Sequence, residues 1–215
     1  MAERQQEELN MKRKLNVRRM TELALLMAII ILMTFTPLGY LPTPWGLSIT
    51  LIVIPVAIGG IVLGPKAGAF LGLVFGLFSF IKTFTPMGSV LNIAMLEASL
   101  PKFVILCIVP RVLVGWLPAL LYRKLKGFAK LRTFSQAVCC FLTPIFNTLF
   151  YMTGCWLFFS DTWLAHTGNS GSGINVLFLM LGAVAVNGIV EAAACLVLGT
   201  AVSKALIHAL HRNDP

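Results

Sequence analysis

The sequence predicts an all-α membrane protein with six transmembrane helices and both termini in the cytoplasm. Three observations carry this reading. Of 215 residues, 58% are hydrophobic and 12% charged, and the mean hydropathy is +0.87; such a chain packs helices in lipid rather than building a water-excluding globule. Apolar stretches of bilayer-crossing length alternate with short connections marked by Pro, Gly or basic residues. Finally, most Lys and Arg residues fall on alternate connections, the asymmetry that sets orientation. They precede the first stretch, sit at Lys66, crowd 123–132, and recur at Lys204 and Arg212. The net charge of +9 is therefore an orientation signal, and nucleic-acid binding is excluded.

Residues 1–19 form a basic cytoplasmic arm ending in Lys12-Arg13-Lys14 and Arg18-Arg19. No A-x-A-like cleavage site follows, so the arm leads into a first span at 20–36 rather than a signal peptide. Ala24 and Ala28 give that span a small-xxx-small face, which lets another helix approach closely. Residues 37–45, with three prolines, Tyr40 and Trp45, read as an ordered interfacial loop. A second span at 47–63 should be kinked or broken by Pro55. Gly64-Pro65-Lys66 turns the chain into a third span at 67–80. Gly60, Gly64, Gly68, Gly72 and Gly76 recur every four residues across this hairpin, a stripe for close helix contact.

Residues 82–102 form the longest outer connection and carry Asn92; Lys82 and Lys102 are its basic residues. A fourth span at 103–121 should be interrupted at Pro110-Arg111. The fifth, 134–159, contains Pro144 and Asn147, and a Gly/Ser-rich outer loop with Trp163 leads to the sixth at 174–203. The transmembrane domain thus covers 20–204, with a short cytoplasmic tail at 205–215. All five cysteines lie in apolar stretches without a CxxC, so they read as packed thiols rather than a disulfide framework or zinc site.

Chemistry concentrates where charge enters the apolar spans. Glu191 and Asn187 lie four apart, on one helical face, and Arg111 is the other charge so far inside. A charge at that depth costs roughly 2.5–3.5 kcal/mol on insertion scales and therefore faces a partner or a cavity. Counted from residue 174 at ~1.5 Å per residue, Asn187 lies about 20 Å down and Glu191 about 25 Å, so Asn187 is the better substrate contact. An enzyme reading finds no HExxH, but Gly168-Asn169-Ser170-Gly171 matches the short GxSG string of rhomboid proteases. A membrane-embedded serine hydrolase using Ser170 is therefore the alternative function, although its base must come from His166, His208 or His211. No Cys/His cluster suggests a metal or redox centre, and one Arg with one Glu makes no channel filter. A solute pocket fits the pattern better: Arg111, Asn147, Asn187 and Glu191 converge from three spans, with Tyr40, Trp45 and Trp163 at the outer mouth. The plainer account has Arg111 and Glu191 simply pairing to pin two helices.

Several stretches are identified together: Ala24-x-x-x-Ala28, Ile54-Pro55-Val56-x-Ile58-Gly59, Leu63-Gly64-Pro65-Lys66-x-Gly68-Ala69, Phe75-Gly76-Leu77-x-Ser79, Pro110-Arg111-Val112-Leu113-Val114-Gly115 and Asn187-Gly188-Ile189-Val190-Glu191. In this order the chain resembles the substrate-binding S components of energy-coupling factor (ECF) vitamin transporters, over nearly its whole length after residue 18. The resemblance implies a non-enzymatic, cofactor-free subunit in the cell membrane of a prokaryote. Such a subunit captures a vitamin or precursor outside and works with a membrane T component and two cytoplasmic ATPases. It implies that Ala24 and Ala28 dock the T component, that the first and third outer loops cover the pocket, and that the subunit topples to release its cargo. Nickel and cobalt members begin Met-His, whereas this chain begins Met1-Ala2, which disfavours metal cargo. The pattern looks closest to pantothenate-type members, with riboflavin or another water-soluble vitamin next. Arg111 would hold a carboxylate through bidentate bonds, with Tyr40, Trp45, Asn92, Asn147, Asn187 and Glu191 as further substrate contacts.

Overall fold

The computed structural model of the chain describes residues 2–37, 39–42, 48–86, 88–127, 134–167 and 174–211. Helix α1 (Ala2–Thr34) runs without a break from the basic arm into the first apolar stretch. At 33 residues it is about 50 Å long, well beyond a ~30 Å hydrocarbon core. A short antiparallel ladder follows, β1 (Tyr40–Pro42) against β2 (Ser48–Thr50), with Tyr40 opposite Thr50. It adds a small strand element to an otherwise helical chain among the described residues.

Helix α2 (Val53–Leu63) is short and mostly buried. Pro55 does not break it. The proline sits in the first turn, where its missing N–H has no intrahelical acceptor to lose. The expected 47–63 span is thus divided between strand β2 and α2. Helix α3 (Pro65–Lys82) begins directly after Gly64, whose φ of 97° makes the reversal that a side chain would strain. The long connection after α3 contains its own helix, α4 (Val90–Ala98).

Helix α5 (Leu100–Lys126) is continuous through both Pro110 and Pro118, so the expected interruption at Pro110-Arg111 is absent. Helix α6 (Ser135–Thr167) bends at Phe159, whose φ and ψ of −141° and 27° are not helical. Helix α7 (Ile174–Ala194) passes through one π-helical turn, Cys195–Gly199, into α8 (Thr200–His211). Among the described residues, four helical stretches are long and apolar enough to cross a membrane: Pro65–Lys82, Leu100–Lys126, Ser135–Ala165 and Asn187–His208.

Three clusters of buried side chains fill the interior among the described residues, and two of them flank the stretch that carries Arg111; the third, around Ala57, Ile61, Tyr122, Cys139, Cys140 and Cys195, lies apart from them. Leu26, Ile30, Val56, Leu71, Phe75 and Val114 join α1, α2, α3 and α5. Met95, Phe103, Leu106, Cys155, Phe159 and Met180 join α4, α5, α6 and α7. Trp163, expected at the outer mouth, is buried in this second cluster. The cysteines Cys107, Cys139, Cys140, Cys155 and Cys195 are all buried and free.

Helices α3 and α5 cross with almost no space between their backbones. A Cβ on Gly72 would run into the Arg111 carbonyl, one on Gly68 into the Gly115 carbonyl, and one on Gly76 would lie 2.7 Å from the Cys107 carbonyl oxygen. The glycine stripe therefore fixes α5 against α3 over the stretch that carries Arg111. Gly64 stands apart from this contact, with nothing within 4 Å of its added Cβ.

Candidate functional site

The site begins with a proline. Pro110 has no N–H to give the carbonyl four residues back, which leaves the Leu106 oxygen inside α5 without its helical donor. The side chain of Arg111 supplies one: Nη1 donates to Leu106 O at 2.9 Å. That bond explains how α5 stays helical through the proline and why the arginine stands beside it. Arg111 is buried, and its Nε has no hydrogen-bond partner. The guanidinium carbon lies 4.3 Å from the Tyr151 ring centroid and 5.6 Å from that of Phe75. Arg111 thus occupies the seam between the two clusters, held by aromatic faces instead of a carboxylate.

Neighbouring elements bring polar groups to the same seam. The Tyr151 hydroxyl donates to Asn92 Oδ1 at 3.1 Å, tying α4 of the long connection to α6. Asn147 lies one turn before Tyr151 on α6, buried with its Oδ1 unpartnered. Tyr40 comes from β1; its buried hydroxyl lies beside Ser79 of α3 without a well-formed hydrogen bond, within electrostatic reach of Arg111 and Glu191. Lys82 at the end of α3 caps the Tyr40 ring, its Nζ 3.3 Å from the centroid.

Glu191 does not pair with Arg111. Its Oε1 accepts the backbone N–H of Thr50 at 2.6 Å, and its Oε2 is buried without a partner. The carboxylate therefore clamps strand β2 to α7, and braces the β1–β2 hairpin rather than the helix pair. Asn187, one turn earlier on α7, is buried as well. Removing the clamp in Glu191→Ala should lower thermal stability by about 1.5–3 kcal/mol, the range for a buried hydrogen bond to a charged group. Glu191→Gln, which keeps an acceptor, should retain most of it; equal melting temperatures for native protein and Glu191→Ala would refute the clamp.

The structure thus brings Arg111, Tyr40, Glu191, Asn92 and, through Tyr151, Asn147 to one seam. Trp45 and Ser170 lie outside the described residues. Ala24 and Ala28 are not among these residues; they lie on an exposed face of α1 opposite its buried Leu26 and Ile30. Sequence reasoning missed Thr50, Phe75, Ser79 and Tyr151 as members of the site. Lys82 had shown a signal as one of two basic residues on the long connection at 82–102.

A buried arginine with an unpartnered Nε, within electrostatic reach of the Tyr40 hydroxyl, can hold an anion. Residues 18–203 match the family described as "ECF transporter, substrate-specific component". The chain belongs to this family. Among curated relatives of the S component is the "Pantothenic acid transporter PanT" of Lactococcus lactis subsp. cremoris (strain MG1363). It is 30% identical over 205 residues, covering 89% of this chain and 94% of the relative. As an S component the protein is a transport subunit, and its long apolar helices fit a membrane protein. Nothing in that family placement supports the serine-hydrolase alternative at Ser170.

Proposed function

We propose that this S component captures pantothenate from outside the cell and delivers it through a T component and two cytoplasmic ATPases. The six predicted spans cross the plasma membrane of a prokaryote with both termini inside, and the basic connections face the cytoplasm. One observation carries the substrate reading: Arg111 is buried with an unpartnered Nε and no carboxylate beside it among the described residues. A guanidinium in that position gains most from a ligand carboxylate, which neutralises the charge and takes up its free donors. Pantothenate offers that carboxylate together with hydroxyl and amide groups, which suit Asn147 Oδ1, the Tyr40 hydroxyl and Asn187. The likeness to the PanT relative points to the same solute.

The test compares pantothenate with panthenol, the alcohol that lacks only the carboxylate. Isothermal titration of the purified protein should show pantothenate binding at least about a hundredfold tighter, because a polar group built to hold a missing partner is left unpaired. Equal affinity for the two, or tight binding of riboflavin with none of pantothenate, would reject this assignment.

A further inference from the structure

A cavity of about 880 Å³ lies at the opposite end of α2 from the β1–β2 hairpin, between α1, the α2–α3 turn and the last turns of α5. Arg19, Lys66, Arg123 and Lys126 line it, and all four are exposed. The ion pair among the described residues joins Arg18 to Glu22 and leaves these cations without an acidic partner there. The backbone contributes further positive potential. Helix α3 starts at this cavity with Gly64 as its cap, and Gly64 has no side chain with which to cap it. The N–H groups of Lys66 and Ala67 precede the first intrahelical bond, from Gly68 N to Gly64 O, and the positive end of the helix dipole faces the same space.

The floor of the cavity is different. Ile61, Leu63 and Leu120 are apolar, and Trp116, 41% exposed, lies about two turns before Arg123 on a helix long and apolar enough to cross a membrane, at the depth of acyl chains below a headgroup on the rim. A cationic rim over an apolar floor at a membrane boundary matches a molecule with a phosphate at one end and hydrocarbon at the other. We infer that this groove binds an anionic phospholipid, its phosphate on the Lys66–Arg123–Lys126 rim and its acyl chains along Trp116 and Leu120. A free phosphate would satisfy the rim but gain nothing from the floor. An acidic segment of a partner protein would likewise leave the apolar floor unmatched.

The site is separate from the Arg111 seam, so the inference does not depend on the vitamin. The full-length protein, delipidated in detergent, is titrated with short-chain phosphatidylglycerol, short-chain phosphatidylcholine or inorganic phosphate, and followed by native mass spectrometry and thermal melting. Phosphatidylglycerol should form a retained adduct and raise the melting temperature, while phosphatidylcholine and phosphate at the same concentration should do neither. Combining Lys66→Gln, Arg123→Gln and Lys126→Gln should weaken the adduct about a hundredfold, since each juxtamembrane cation contributes about fivefold. Arg19→Gln alone should weaken it less, and Lys124→Gln with Lys204→Gln, outside the groove, should leave it intact. The inference is overturned if phosphate alone gives the same shift, if both lipids bind equally, or if the triple variant folds and retains the adduct. It is also overturned if that variant loses only assembly with partner subunits, which would make the groove a protein-docking surface.

Discussion

Arg111→Ala is expected to abolish solute capture at concentrations that saturate the native protein, with the dissociation constant for a carboxylate vitamin rising at least about a hundredfold. Two charge-assisted hydrogen bonds to a buried carboxylate contribute about 1.5–3 kcal/mol each, and ~3 kcal/mol already corresponds to that factor. The substitution also removes the donor that Nη1 gives to Leu106 O, so some loss of stability accompanies it. Comparing ligands separates the two effects. A merely loosened fold would weaken pantothenate and panthenol alike, whereas loss of the anion contact should erase the preference between them. Arg111→Lys keeps the charge but loses the planar fork and its packing against Tyr151 and Phe75, so its affinity should lie between native and Arg111→Ala. Native affinity in Arg111→Ala would make the arginine a helix brace and nothing more.

The same residue shows what the sequence could and could not disclose. Pro110-Arg111 inside an apolar stretch was legible as a place where backbone and charge both need partners. That the side chain itself serves the freed carbonyl, keeping α5 whole, depends on rotamer and burial that spacing does not encode. The long helices and their close crossing were legible because periodicity and small residues are local signals; Gly68, Gly72 and Gly76 do meet the backbone of α5. Pairs distant in sequence were not legible. Glu191 and Thr50 are 141 residues apart, and Tyr151 and Asn92 are 59 apart, so no helical spacing relates them. The Arg111–Glu191 pairing looked natural because opposite charges buried in one membrane domain should find each other. The clamp to β2 prevails because a backbone N–H at the end of a short ladder also needs an acceptor, and the hairpin carries it to α7.

Replacing Ala24 and Ala28 together with Leu should stop transport while leaving solute binding by the isolated protein within about twofold of native. Both alanines lie on the exposed face of α1, away from buried Leu26 and Ile30, so larger side chains there meet lipid or a partner helix and not the core. Surface changes of this kind usually alter stability by less than about 0.5 kcal/mol, and both side chains are exposed. A helix that packs through a small-xxx-small face depends on backbone contact, however, and two isobutyl groups hold the partner away. Uptake into vesicles carrying the T component and ATPases should therefore fall to background, with loss of co-purification of the T component as the direct readout. Transport at the native rate would remove α1 from the coupling interface. Loss of binding in the isolated protein would mean instead that this face supports the fold. Together with Arg111→Ala, the pair divides capture from delivery: one variant holds its partners but no solute, and the other holds solute it cannot hand on.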